Sequence, residues 1–248
     1  RREADEAVSA GRVRVNGALV KPSFRVRSGD VVTLDGKALD WEPFAAATEG
    51  SIGAHAGSNG FFYLKYNKPR GVTCTMESSQ RTKPAKGVGS ARVFPVGRLD
   101  RDSSGLVLLT DDGRVPEALL DPSRKAPKTY EVDVRPAPTP DAIEALRDGV
   151  VITTTQQRDG VTTTSPTAPC PVDLIKKSET SATLRFELRE GRNRQIRKMC
   201  EAVGVEVVRL HRVSVGGVWL DESALEVGGV RALSGDELDA VGAAVSAS

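Results

Sequence analysis

Four apolar residues in a row, Leu106-Val107-Leu108-Leu109, follow a Ser-Gly turn without a charge among them. Such a run reads as a core strand rather than a surface one. The stretch that contains it, PVGRLDRDSSGLVLLTDDG from Pro95 to Gly113, places a carboxylate, Asp100, between Arg98 and Arg101 at the mouth of that turn. A surface loop rarely leads so directly into a core strand. Two readings of Asp100 stand on the residues alone: an acid that caps an ordinary loop-to-strand corner, since Asp-Ser-Ser-Gly is common turn chemistry, or an acid positioned for reaction.

A chain of 248 residues with 39% hydrophobic content can bury a sizeable core, as one large or two smaller domains. No run approaches the roughly 18 apolar residues of a helical membrane span, so no membrane partner is expected. The three cysteines, Cys74, Cys170 and Cys200, are odd in number and widely spaced. With only His55 and His211 beside them they make neither a disulfide framework nor a metal cluster, and reduced, mostly buried thiols are expected. The net charge of +2 hides local basicity, because Arg189, Arg192, Arg194, Arg197 and Lys198 cluster with Glu190 as the lone acid. That density suits a phosphate-rich partner, and it equally suits a solvated face. The sequence opens on Arg1-Arg2-Glu3 with no signal-peptide pattern. Residues upstream are expected, and targeting is not readable.

Taken in order, Arg2 to Ala10 place Ala4, Ala7 and Val8 on one helical face before a Gly11 stop. RVRVNGALV is an alternating strand with an Asn16-Gly17 hairpin signal, and Val31 to Leu34 alternate again before Asp35-Gly36. Residues 41–60 turn to Ala, Gly and Ser and read as a flexible tether, with His55 a loop residue. FFYLKYNKPRGVTCT then predicts a strand, a rigid Pro-Gly turn from which Lys68 and Arg70 project, and a continuation. Residues 78–92 form a polar insertion expected to be mobile.

After the Asp111-Asp112-Gly113 turn a short helix is expected over Val115 to Leu120. Lys128 to Val134 alternate so that Tyr130, Val132 and Val134 share a face, where Tyr130 could be simply a core aromatic. Thr139, Pro140, Ile143, Leu146 and Gly149 spell a capped helix. Thr153 to Pro171 have weak strand character, and Leu184, Phe186 and Leu188 alternate. In EGRNRQIRKMC, Asn193 is a candidate N-cap for a helix burying Ile196, Met199, Cys200 and Val203, with Gly204 closing it and Arg194 and Arg197 on one edge. Strands are expected at Val205 to Leu210 and Val218 to Leu220, and Ser234 with Glu237 forms a capping box for a last helix. Asp102 as a second catalytic acid is disfavoured, since residues two apart on an extended loop point opposite ways. Asp111-Asp112 could hold a divalent cation, but Asp-Asp-Gly is more often a turn.

Four blocks now carry a resemblance: YNKPRG at Tyr66 to Gly71, GRLDRDSSGLVLLTDDG at Gly97 to Gly113, KTYEV at Lys128 to Val132 and EGRNRQIRKM at Glu190 to Met199. In this order and spacing they resemble the signature blocks of the ribosomal RNA pseudouridine synthases of the RsuA/RluF type, and the first forty residues resemble the S4 RNA-binding module. The likeness spans nearly the whole chain, to about Glu237. It implies an α+β chain: a small S4-like α/β module at 1–40, lacking its first helix, the tether at 41–60, and a catalytic domain at 61–248 whose mixed, largely antiparallel central sheet is flanked by helices.

The implied activity is conversion of a specific uridine in ribosomal RNA to pseudouridine, without metal or other cofactor. In that scheme Asp100 is the nucleophile, attacking the pyrimidine ring or the ribose C1′ so that the base detaches, rotates and rejoins through C5. Arg197 is its basic partner. Tyr130 stacks on the uracil and assists removal of the C5 proton, and Ile196 packs under the base. Arg98 contacts phosphate or holds the helical position that the base vacates. Arg194, Lys68 and Arg70 contact substrate or its phosphates, and Arg1, Arg2, Arg12 and Arg14 form the basic face of the S4-like module. The base has to be flipped from its stack, at a cost of roughly a few kcal/mol that unpaired RNA lessens. The expected partner is ribosomal RNA or a pre-ribosomal particle, bound by a monomer in a bacterial cytoplasm or an organelle matrix. Two departures from the family pattern, the 78–92 segment and the polar stretch after Val151, bear on substrate fit. The alternatives are a non-catalytic ribosome-assembly factor with the same fold and a tRNA-directed synthase.

Overall fold

The computed structural model describes residues 2–21, 24, 26–27, 29–39, 61–74, 93–121, 126–155 and 160–246. The expected tether with His55, the 78–92 insertion, Arg1 and the side chain of Arg2 lie outside what is described. Contacts divide the chain into two units, Arg1–Ser51 and Ile52–Ser248.

In the first unit helix α1 (Arg2–Ser9) precedes β1 (Val13–Val15), β2 (Ala18–Leu19), β3 (Val32–Leu34) and β4 (Lys37–Ala38), which form one sheet in the order β2-β1-β3-β4. Both hairpin turns have positive φ at their two central residues, Asn16 (51°) with Gly17 (80°) and Asp35 (52°) with Gly36 (79°). That is the turn geometry whose twist matches paired strands, and Asn-Gly and Asp-Gly are the sequences that tolerate it. Among the described residues of this unit, only Val15 and Val32 are buried apolar side chains. Polar bonds supplement so small a core: Asn16 Nδ2 donates to Asp30 at 2.8 Å, and the exposed Arg12 and Asp35 pair through two bonds of 2.9 and 2.5 Å. Arg12 therefore spends its guanidinium within the unit, while Arg14 donates to the carbonyl of Gly17.

The second unit is built on a sheet containing β5 (Tyr63–Lys68), β6 (Phe94–Val96), β7 (Ser104–Thr110), β8 (Lys128–Arg135), β11 (Val172–Lys177), β12 (Ala182–Leu188), β13 (Glu206–Val215), β14 (Val218–Trp219) and β15 (Val230–Ala232). Its order is β11-β12-β8-β13-β7-β5-β15, with β14 on β13 and β6 on β7. The pairings are antiparallel except β13 with β7, which is parallel, so the sheet is mixed. The uncharged run is explained by β7: Leu106 and Leu108 enter one apolar cluster, while Val107 and Leu109 enter another on the opposite face. A strand covered on both faces favours a continuous apolar run. In the first of those clusters the covering helices are α2 (Arg114–Leu120), through Val115 and Leu119, and α5 (Gly235–Ser246), through Leu238 and Val241.

A third cluster joins β8 and β12 to α3 (Pro140–Asp148) and α4 (Gln195–Ala202). Helix α3 follows its sequence closely, with the Thr139 hydroxyl accepting from Ala142 N at 3.2 Å, Pro140 in the first turn and Gly149 at φ 100° ending it. Helix α5 opens as its capping box predicts, the Glu237 carboxylate accepting from Ser234 N at 2.8 Å. The Thr-rich stretch resolves into a separate hairpin, β9 (Val151–Thr155) with β10 (Thr162–Pro166), whose facing threonine hydroxyls bond at 2.8 and 2.9 Å. No described helix is long and apolar enough to cross a membrane.

Three sequence expectations are corrected. Helix α4 has Arg194, not Asn193, at its N-cap, in the left-handed region at φ 51° and without a side-chain cap. The buried Gln195 side chain organises that corner instead, accepting from Arg192 N at 3.1 Å and donating to Glu190 at 2.6 Å. Strand β13 runs on to Val215 rather than stopping at Leu210, because His211 and Arg212 are buried and bonded within the sheet. The chain after Gly71 does not resume as a strand over the described residues 72–74.

Candidate active site

The loop from Gly97 to Gly105 joins β6 to β7, and it is shaped by cations beneath it. Arg212 on β13, 1% exposed, donates from Nε to the carbonyl of Leu106 and from Nη2 to that of Gly97, both at 2.8 Å. One guanidinium thus staples the two ends of the loop. Gly105 permits this approach, since a Cβ there would lie 2.7 Å from the backbone nitrogen of Arg212, and its φ of 106° is open to glycine. Lys68, fully buried, ties the middle by donating to the carbonyl of Ser103 at 2.6 Å and to that of Pro69 at 2.9 Å. The expectation that Lys68 projects toward substrate is therefore overturned: a lysine followed by Pro-Arg-Gly looks exposed in sequence, but this one faces carbonyls that need a donor. Burial pushes its pKa below the ordinary lysine value of 10.5.

Within the loop, Ser103 N donates to the carbonyl of Asp100 at 3.1 Å, closing a turn. The turn of Pro69 to Gly71 lies alongside, since Gly71 N donates to Arg101 O at 2.6 Å and Arg101 Nε to Gly71 O at 3.1 Å. Arg70, Gly71, Asp100, Arg101, Asp102, Asn193 and Arg194 line an open cavity of about 550 Å³. That is within the range of small-ligand sites.

The turn also overturns the expectation that Asp100 and Asp102 diverge, because both reach the same guanidinium. Arg194 Nη1 lies 3.4 Å from Asp100 and 3.1 Å from Asp102, and its Nη2 is 3.0 Å from Asp102. Arg197 sits 3.3 Å from the Asp102 carboxylate and donates to the Asp102 carbonyl at 3.2 Å and to Ser103 Oγ at 3.4 Å. Arg197 thus makes its ion pair with Asp102 while still feeling the charge of Asp100, and Arg194 touches both carboxylates. Asp102 is held below its ordinary pKa chiefly by the Arg194 hydrogen bonds, with Arg197 adding to them.

Tyr130 and Ile196 are not part of the cavity lining. Tyr130 is half-buried where two apolar clusters meet, one containing Ile196 and the other Leu99 next to Asp100. Arg98 is exposed on the loop and is not part of the lining.

This arrangement belongs to a known family. A family model described as RNA pseudouridylate synthase matches residues 63–202, and an S4 domain model matches residues 1–32. The chain belongs to the RNA pseudouridylate synthase family. It is 35% identical over 239 residues to the dual-specificity RNA pseudouridine synthase RluF of Escherichia coli K12, covering 96% of this chain and 72% of the relative. It is 40% identical over 168 residues to the ribosomal large subunit pseudouridine synthase E of Xanthomonas axonopodis pv. citri, covering 64% and 87%. A crystal structure of a pseudouridylate synthase superposes with a TM-score of 0.63 at 27% identity, covering 97% of this chain and 93% of that one. The mixed α+β fold behind an N-terminal S4 domain agrees with these relatives.

Sequence reasoning overlooked two residues that shape this synthase's site. Arg212 gave no sign, as its partners are backbone carbonyls 106 and 115 positions away. Asp102 was visible, and the Ser-Ser-Gly that follows could have warned that the backbone folds into a turn, bringing residues two apart to one side. The Asp111-Asp112 pair also finds its place: Asp112 is buried against Arg114 at 2.7 Å and the Tyr63 hydroxyl at 2.7 Å. Burial favours its neutral form, but those bonds outweigh it and lower its pKa.

Proposed function

We propose that this chain isomerises a specific uridine of ribosomal RNA to pseudouridine, with Asp100 as the nucleophile. The observation that carries the reading is Asp100 itself, a carboxylate that with Asp102 lines a cavity whose other charged groups are Arg70, Arg101 and Arg194, on a loop stapled at both ends and in its middle. A nucleophile has to be held and kept ionised. In the reaction, the Asp100 carboxylate attacks C1′ of the ribose or the pyrimidine ring, and the N1 glycosidic bond breaks. The uracil then turns so that C5 forms the new bond to C1′, the bond to Asp100 is released, the C5 proton is lost and N1 takes up a proton, so that the product is an isomer of uridine. Tyr130, at the junction of the clusters behind Asp100, serves as the surface for the base and as the candidate acceptor of that proton, and Ile196 packs beneath it.

Arg70 and Arg194 line the entry and suit phosphates of the flanking nucleotides, and Arg98 is on the loop that carries Asp100. Lys68 acts from below, through the loop, and Arg197 acts through Asp102. Arg14 and the neighbouring basic residues of the S4 domain supply further backbone contacts. Relatives named as large-subunit synthases support ribosomal RNA, free or in a pre-ribosomal particle, and their bacterial sources favour a bacterial cytoplasm.

The test compares wild type with Asp100→Asn on precursor ribosomal RNA and on tRNA side by side, mapping pseudouridine chemically. The expected outcome is one modified ribosomal position in wild type and none in the variant, at equal RNA affinity. Equal modification by both proteins would remove Asp100 from the chemistry, and modification of tRNA alone would move the substrate.

A further inference from the structure

Asp102 takes no part in the reaction just described, yet it holds more cationic contacts than Asp100 does. Arg194 makes two bonds to it, at 3.1 and 3.0 Å, against a single 3.4 Å contact to Asp100. The two arginines differ in what else restrains them. Arg197, 13% exposed, is also fixed by the carbonyls of Asp102 at 3.2 Å and Val207 at 3.4 Å. Arg194 is 42% exposed, and among the described residues its guanidinium bonds only these two carboxylates. It also starts from a left-handed N-cap, so the helix that follows does not dictate its path.

A guanidinium is a fork that closes on a carboxylate through two parallel bonds. With Asp102 present, that fork is occupied. Without its charge, the other acid within reach is Asp100, and Arg194 would close on both of its oxygens. A nucleophile capped in this way loses charge density and access to the carbon it must attack.

We propose that Asp102 is a positioning residue: it binds Arg194 so that Asp100 is touched through one oxygen only, and it holds Arg197 beside Ser103. The inference rests on the reading of Asp100 as the nucleophile.

The test uses the full chain and a ribosomal RNA fragment that wild type modifies, with kcat, KM and thermal unfolding measured for Asp100→Asn, Asp102→Asn, Asp102→Glu, Arg194→Gln and the double variant Asp102→Asn/Arg194→Gln. Asp102→Asn is expected to lower kcat on the order of 10- to 100-fold, as small misplacements in a site do, with KM and melting temperature little changed. Asp102→Glu should recover part of that loss. The distinguishing result is relief: the double variant should have a higher kcat than Asp102→Asn alone, because the guanidinium that caps Asp100 is gone. A merely structural aspartate would not give a loss that deleting a second residue repairs. Wild-type kcat in Asp102→Asn, or losses that simply multiply in the double variant, would overturn the proposal. Were Asp102→Asn to unfold, Asp102→Ser serves as the second variant with the same two outcomes. Turnover by Asp100→Asn would instead defeat the underlying reading, whereas an inactive Asp100→Asn with no relief defeats only the role of Asp102.

Discussion

Two sets of cations surround the loop that carries Asp100, and they differ in what they hold. Those below, Lys68 and Arg212, are buried and bond backbone carbonyls of Ser103, Pro69, Leu106 and Gly97. Those above, Arg194 and Arg197, come from the start of α4 and meet carboxylates. A carbonyl bonded to a buried cation fixes backbone shape, and leaving it without a donor costs free energy. An exposed ion pair fixes where charge lies while contributing little to stability, since water and salt compete for both partners. The lower set is therefore part of the fold, and Arg197, with its bonds to the carbonyls of Asp102 and Val207, shares in both roles. The exposed Arg194 belongs to the chemistry proposed above, so substitutions of Lys68, Arg212 and Arg194 should divide along that line.

The largest structural effect is expected from Arg212→Met, which keeps most of the apolar volume and removes both donors. Each buried carbonyl left unsatisfied costs about 1–3 kcal/mol, partly offset by no longer burying a charge, so a net loss on the order of 2–4 kcal/mol is expected. Urea unfolding should show the lower midpoint, and kcat should fall with it because Gly97 and Leu106 bracket Asp100. An unchanged midpoint would dissolve the distinction between the two sets.

Lys68→Met should cost less, because one of its two bonds goes to its neighbour Pro69, and it should carry a signature in its pH dependence. Burial lowers the pKa of Lys68 from 10.5, so the folded chain releases this proton more readily than the unfolded chain. Between the lowered value and 10.5 the unfolded chain binds more protons, and stability contributed at this position rises with pH. Below the lowered value the cost of the buried charge is felt in full. The stability difference, wild type minus Lys68→Met, should thus grow as pH climbs through the alkaline range toward 10.5. Taking the difference cancels the buried thiols Cys170 and Cys200, which burial pushes up to about 11 and about 12. A flat difference for Lys68 would mean that its ammonium is solvated.

The same line separates what could be read in the sequence from what could not. Thr139, Pro140 and Gly149 announced α3 to the residue, since capping is settled within one turn of chain. The apolar run of β7 and the acid beside it were legible for the same local reason. Signals failed where a polar side chain serves distant backbone: Lys68 read as a projecting turn residue, and His211-Arg212 read as the end of a strand that continues through them. Strand β11 was missed because Val172-Asp173-Leu174-Ile175-Lys176-Lys177 does not alternate, and of these only Val172 is buried. Asp102 was misjudged because facing depends on whether the backbone is extended or turned, which one hydrogen bond, Ser103 N to Asp100 O, decides.

Arg194→Gln should have the smallest effect on the fold and so provides the sharpest contrast with Lys68→Met. Its side chain is 42% exposed, its partners are 39% and 37% exposed, and its backbone bond to Lys198 does not depend on its side chain. Stability should stay within about 0.5 kcal/mol of wild type, as for other exposed ion pairs. What changes is the charge at the entry. KM for RNA should rise several-fold at low salt and the gap to wild type should narrow as salt rises, because a phosphate contact releases counterions on binding and its loss flattens that dependence. Since Asp102 remains to hold Arg197, kcat should stay close to wild type. A fall in kcat with unchanged KM would place Arg194 in the transition state beside Asp100, and a fall in melting temperature would move it into the set that builds the loop.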